Sequence, residues 1–206
     1  MSVTVLDHPL AEHYMATLRS GDTGPQQFRE TTRRLAYLLI FEATRDLGLR
    51  DIDIETPLES TTAKQIDRDI VAVAVLRAGL GLLNAVIHVI PDVKVGYIGV
   101  ARDEETVQPQ EYYTKLPKLA GARVFILEPM LATGGSLAWA VQKVKDKGAT
   151  DITALCVLAA PAGVEHMTSE HPDVHVVTAA VDRDLDYKFY IRPGLGDMGD
   201  RLFGTF

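Results

Sequence analysis

The hydrophobic pattern is densest between residues 70 and 181, and it alternates in kind. Ile70 to Leu76 is a continuous apolar run, the pattern of a strand buried on both faces of a parallel sheet. Leu80 to Ile90 then predicts a helix, stopped by Pro91. Val93 to Val100, Val124 to Leu127 and Ile152 to Ala160 predict further strands, with a helix from Leu137 to Lys147 that stops at Gly148. Pro161 to Glu170 predicts a helix and Val174 to Val181 another strand. Strands alternating with helices imply βαβ units and a mainly parallel sheet. Ahead of the sheet, Phe28 to Leu47 predicts a helix whose centre, Leu35 to Phe41, is apolar on every side. Such a helix must be covered all round. In a chain this short a partner subunit is a suitable cover, so a homo-oligomer, at least a dimer, is expected. No repeat, low-complexity tract or linker divides the chain. The expected architecture is α/β, a single domain over residues 1–206. It is a twisted, mainly parallel sheet flanked by helices, with an N-terminal helical extension over 1–69.

Composition narrows the function. The 206 residues suffice for one α/β domain with a sizeable core. Lys and Arg number 21 against 28 Asp and Glu, a net charge of −7, which argues against a general nucleic-acid surface. Any phosphate ligand must then be held by local donors. Cys156 is the single cysteine, so neither an internal disulfide nor a Cys-rich zinc site is expected. The N-terminus lacks the pattern of a signal peptide. No apolar run approaches the ~20 residues that span a bilayer. A soluble cytoplasmic protein is the expectation.

The chemistry concentrates in Glu128-Pro129-Met130-Leu131-Ala132-Thr133-Gly134-Gly135-Ser136, between the strand ending at Leu127 and the helix beginning at Leu137. A small-residue turn entering a helix exposes backbone N–H groups and the positive end of a helix dipole, both suited to phosphate. Thr133 and Ser136 add hydroxyl donors. Glu128 can accept hydrogen bonds from sugar hydroxyls, so acid plus phosphate cup describes a ribose 5-phosphate site. Open parallel sheets bind ligands at the carboxyl ends of their strands. Arg77 follows the strand ending at Leu76, and Arg102 follows Val100. Arginine's planar fork suits phosphate. Each arginine alone could equally be a solvated strand-end charge. The polar stretch 102–117 breaks the rhythm and predicts a lid or binding arm, with Tyr112 and Tyr113 either capping a pocket or packing the arm's base. Gly194, Gly196 and Gly199 match G-x-G-x-x-G, but no helix and strand of a βαβ unit are expected after them. A rigid Pro-Gly loop is better suited to gripping a small planar ligand. None of the six histidines has metal-ligand spacing.

Together these residues resemble uracil phosphoribosyltransferase, a type I phosphoribosyltransferase family. The resemblance runs through His8-Pro9-Leu10, Thr56-Pro57-Leu58, Leu76-Arg77-Ala78-Gly79 and the arm from Tyr112 to Pro117. It continues through the 129–136 loop and the tail from Tyr190 to Asp197 and from Arg201 to Thr205. It implies that uracil and 5-phosphoribosyl 1-diphosphate give UMP and diphosphate. It also implies that Glu128 to Ser136 hold the ribose 5-phosphate and that Arg77 and Arg102 bind the diphosphate. Ile191, Gly196, Asp197 and Met198 would bind uracil largely through main chain, in a tail spanning 190–206. Asp197 would also face the donor. Arg77, Arg102, Glu128 and Asp197 are the implied catalytic residues. Mg²⁺ is the implied cofactor, carried on the diphosphate with no protein metal site. GTP activates some members, and no residue here is assigned to it. Two departures stand out: Glu128 occupies a position where the family commonly has Asp, and Met198 one where a small residue, often Ala, is common. Two other readings remain: a non-catalytic nucleotide sensor on the same fold, and a phosphoribosyltransferase for another base.

Overall fold

The computed structural model describes residues 2–102 and 109–206, leaving aside the side chains of 101, 102 and 109. An interior strand of its main sheet is β4 (Ile70–Leu76), read correctly from its apolar run. Alternate residues of a strand face opposite sides. Ala72 and Ala74 accordingly join one core, while Val71, Val73 and Val75 join the other. Burial on both faces is why the run is continuous. On one side of β4 lie β7 (Arg123–Leu127), β9 (Asp151–Ala159), β10 (His175–Val181) and the edge strand β1 (Ser2–Val5), all parallel. On the other lies parallel β5 (Lys94–Arg102), followed by antiparallel β6 (Pro109–Lys115). The two-residue strand β8 (Met130–Leu131) also pairs with β9.

Helices cover both faces. Helices α1 (Pro9–Arg19), α2 (Pro25–Ala43) and α3 (Leu80–Val89) pack on one core through Leu18, Phe28, Leu35, Leu39 and Val86. Helices α4 (Gly135–Asp146) and α5 (Pro161–Glu170) pack on the other through Leu137, Val141, Val144 and Met167. The short helix α6 (Met198–Phe203) places Met198 and Leu202 in the first core.

The structure differs from expectation in three places. Residues 1–69 are not wholly helical. β1 joins the main sheet, and β2 (Leu49–Glu55) with β3 (Ser60–Ile66) forms a separate antiparallel hairpin. Thr56 Oγ1 turns it, accepting from the N–H groups of Leu58 at 3.2 Å and Glu59 at 3.0 Å. Both hairpin strands are largely exposed, so they lack the buried stripe that marks a strand in sequence. Helix α2 ends at Ala43 rather than Leu47, and the protomer covers only part of it: Leu35, Ala36, Leu39 and Ile40 are buried, while Phe41 is 59% exposed. Lastly, the arm carries β6 over 109–115, whose polar sequence conceals a sheet-edge strand. Residues 103–108 of the arm lie outside the described residues.

Two arginines tie the tail to the N-terminal helices. Arg19 forks onto Asp182 at 2.7 and 2.6 Å and donates to the carbonyl of Gly194 at 3.0 Å; Asp182 also accepts the Gly194 N–H at 2.8 Å. The buried Arg201 donates to the carbonyls of Leu18, Leu195 (2.7 Å) and Ser20 (2.5 Å), and it lies over the Phe28 ring at 4.3 Å.

Burial pushes the Asp182 carboxyl up, but the Arg19 fork and the Gly194 N–H outweigh it and hold it below the ordinary carboxylate value. A depressed carboxyl stabilises the fold above its unfolded pKa, about 3.9, and this contribution is lost as pH falls through the folded value. Asp182→Asn is expected to cost about 2 kcal/mol at neutral pH. In urea titrations from pH 7 to pH 2, its gap from wild type should hold steady to about pH 4 and then shrink.

Candidate active site

Three of the candidate groups leave the sheet at strand carboxyl ends. Glu128 follows β7, Arg77 follows β4 across a cis Leu76–Arg77 peptide, and Arg102 closes β5. The side chain of Arg102 lies outside what the structure describes. The cup itself is fastened to the sheet. The carbonyl of Pro129 accepts from Val157 at 2.8 Å and Leu158 at 3.0 Å, and that of Leu131 accepts from Ala160 at 2.8 Å. Pro129 and Leu131 are therefore buttress residues, with Leu131 buried in the core. Gly134 takes φ +87° ahead of α4, whose first turn carries no acid and no side-chain cap. That leaves a helix N-terminus disposed toward an anion.

A cavity of about 310 Å³ joins the cup to the tail. Glu128, Met130, Ala132 and Ser136 line it from the cup, and Ile191, Gly196, Asp197 and Met198 from the tail. Eight of the expected residues thus share one cavity although some 60 positions separate the two groups. The tail reaches it through a cis Arg192–Pro193 bond and two positive-φ glycines, Gly194 at +68° and Gly196 at +82°. At Gly194 a Cβ would meet the Ile191 carbonyl at 2.0 Å, so only glycine fits the turn.

Glu128 is buried, at 9% exposure. The neighbouring Cys156 thiol is pushed far up, by burial first and by the charge of Glu128 second, so it stays protonated and is no nucleophile. Asp197 caps α6, accepting the Asp200 N–H at 2.8 Å. Met198 is 2% exposed and packs in the core while contributing to the cavity wall, so its bulk is largely absorbed by the fold. Arg77 does not line the cavity. It donates to Asp200 at 3.2 Å and Thr205 at 3.3 Å, with its side chain 55% exposed. Tyr112 packs at the base of the arm: a Cβ on Gly99 would come within 2.5 Å of its ring. Glu111 pairs with Lys143 of α4 at 2.8 Å, which joins the arm to the cup's helix.

Sequence reasoning missed Lys188 and Phe189, which with Tyr190 of the expected tail line the tail side of the same cavity. The signal was an aspartate two residues before a lysine within an aromatic run, a turn-forming pattern beside a strand end. It also missed Arg19, Asp182 and Arg201. Contacts between residues so distant in the chain leave no local pattern.

The model of the family described as uracil phosphoribosyltransferase matches residues 5–205. A uracil phosphoribosyltransferase of Salinibacter ruber is 48% identical over 205 residues, 99% of this chain and 98% of that one. The solved AQ2163 protein of Aquifex aeolicus superposes with a TM-score of 0.94 at 37% identity, covering 98% of this chain and 97% of its own. A hypoxanthine-guanine phosphoribosyltransferase of Bacillus anthracis shares the fold, with a TM-score of 0.54 at 15% identity over 77% of this chain and 80% of that one.

The two cup glycines differ in what a side chain would meet. At Gly134 a Cβ would lie 2.9 Å from the His166 ring and 3.1 Å from the Gly163 carbonyl, so the clash is with α5 rather than with a phosphate. At Gly135 the nearest such atom is Thr133 Oγ1 at 3.9 Å. Gly134→Ala should therefore lose about 2 kcal/mol in urea unfolding through strain and crowding. Gly135→Val should change stability by less than about 1 kcal/mol, yet abolish binding of a phosphorylated ligand in calorimetry.

Proposed function

Because the chain belongs to the uracil phosphoribosyltransferase family, we propose that it transfers a 5-phosphoribosyl group from its 1-diphosphate to uracil, giving UMP and diphosphate in pyrimidine salvage. One observation carries this reading: a single cavity is walled by the phosphate cup on one side and the Pro-Gly tail loop on the other. The cup turn 132–136 holds the 5-phosphate through backbone N–H groups and the hydroxyls of Thr133 and Ser136, with Pro129 and Leu131 bracing it against the sheet. Glu128 takes the ribose hydroxyls. Its extra methylene relative to aspartate is compatible with a carboxylate that still reaches the cavity wall. Ile191, Gly196 and Met198 read the pyrimidine through main-chain groups, and Asp197 faces the donor.

Displacement at the anomeric carbon passes through an oxocarbenium-like state while negative charge grows on the departing diphosphate. Arg77 and Arg102 lie at neighbouring strand ends and stabilise that charge in place. The Asp200–Thr205 pair keeps the Arg77 guanidinium beside the tail. Mg²⁺ carried on the diphosphate would supply further positive charge. The carboxylates of Glu128 and Asp197 on the cavity wall would meet such a cation through its retained waters rather than as ligands. Among the described residues no three His, Cys, Asp or Glu are grouped to hold a metal. An arm closing over 102–117 would limit hydrolysis of the donor.

No helix among the described residues is long and apolar enough to cross a membrane. A cytoplasmic setting remains part of the proposal and suits a lone buried thiol. So does a homo-oligomer of at least two chains. It is supported by apolar side chains left uncovered on α2 (Phe41, 59% exposed), α3 (Ile87, 39%) and the hairpin (Leu49, 57%; Leu58, 95%).

Two measurements test these readings. Diphosphate release should proceed with uracil and fall to background with hypoxanthine, guanine or orotate; release with orotate instead would reassign the base. Sedimentation at micromolar protein should show a dimer or larger. Phe41→Glu should shift it toward monomer, and a monomeric wild type would leave the exposed face without this explanation.

A further inference from the structure

Phe189 is the one non-glycine residue with positive φ among those described, at +64°. An L side chain in this region crowds its own backbone, so glycine is the usual occupant, with asparagine next. A bulky ring there needs a reason. Packing in the core does not supply it, since Phe189 is 47% exposed.

The backbone around it is tightly specified. The Asp186 carboxylate accepts the N–H groups of Lys188 at 2.8 Å and Tyr190 at 2.9 Å through one oxygen. The Asp186 N–H donates to the Tyr190 carbonyl at 2.8 Å, and its carbonyl accepts the Phe189 N–H at 3.0 Å. Four hydrogen bonds within five residues hold position 189 in the left-handed region whatever its side chain. The loop's shape is therefore Asp186's doing, and glycine at 189 would satisfy it. What the ring adds is a wall: Phe189 lines the cavity that also contains Ile191, Gly196 and Met198. Backbone strain maintained at a cavity rim, without compensation in the core, points toward a role in the cavity.

We infer that Phe189 is a specificity-determining residue of the base subsite, its phenyl ring covering the planar pyrimidine that the tail loop reads through main chain. The inference rests on the proposed reaction and extends it to a side chain. Hydrogen bonds to main chain select the edge of a base but leave its π-face open, and an aromatic ring supplies that contact and excludes water. Asp186 is the positioning residue, acting through the loop.

The test compares steady-state kinetics and thermal unfolding of Phe189→Gly, Phe189→Asn and Phe189→Tyr. Glycine and asparagine both suit the left-handed region, and asparagine lacks glycine's added freedom in the unfolded chain. Both should raise KM for uracil about tenfold, the scale of one lost base-stacking contact. KM for the ribosyl donor should stay within about twofold of wild type, and Tm should hold or rise by about 2 °C. Phe189→Tyr should recover most of the uracil affinity. Wild-type KM for uracil in the glycine and asparagine variants would overturn the inference while leaving the reaction intact. So would a fall in Tm of more than about 5 °C in both, which would make the ring a support of the fold. A wild type that forms no UMP would remove the reaction and the inference together.

Discussion

The site depends on one buried cation. Arg201 is 9% exposed, and among the described residues its hydrogen bonds go to the carbonyls of Leu18, Leu195, Ser20 and Thr23. Burial draws its pKa down, but carbonyl dipoles and the face of Phe28 at 4.3 Å replace much of the lost hydration. Leu18, Ser20 and Thr23 belong to the end of α1 and the turn after it, while Leu195 belongs to the tail loop. A single guanidinium thus fixes the tail against the N-terminal helices, one residue from Gly196. Arg19 and Asp182 repeat the link at Gly194. Ile191, Leu195 and Met198 seat the loop in the first core, and these polar links fix the turns between those anchors.

This dependence explains which parts of the molecule could be read from sequence. The strand β4 and the helix α5 agree with expectation at both ends. β4 is buried on both faces, and α5 has Pro161 in its first turn, so local sequence alone dictates both. The cup was legible because an acid, small residues and a helix start fall within nine positions. The hairpin and β6 were not, because edge and solvent-exposed strands carry no apolar stripe. Nor were Arg19, Asp182 and Arg201, whose partners lie up to 183 positions away. The conformation at Phe189 was hidden for a related reason: it is set by Asp186, and the residue itself prefers other conformations.

Charge poses a second constraint, since a chain of net charge −7 is expected to hold a highly anionic donor. Around the sheet's carboxyl edge the acids are largely neutralised within the protein. Asp182 pairs with Arg19, Asp184 with Arg192, and Asp200 with Arg77. The cup adds donors without adding a carboxylate in the first turn of α4. The local field at the cup is therefore set by backbone dipoles and the buried Glu128 rather than by the overall charge.

The two walls of the cavity differ in how they are built, and the difference assigns them different tasks. The cup is pinned by β8–β9 pairing and by the close seating of α5, where Gly163 admits the Ala132 carbonyl to within 2.6 Å of where a Cβ would lie. A wall so fixed to the sheet offers one geometry, which suits the sugar phosphate proposed to bind there. The base wall is a set of turns, held by Arg201, Asp182 and Asp186, whose backbone is specified but whose side chains at 188 to 190 are partly exposed. Substitution there would change the cavity's surface without disturbing the sheet. On the proposed function, recognition of the sugar phosphate would be built into the fold, while selection among bases would fall to a loop that the fold anchors.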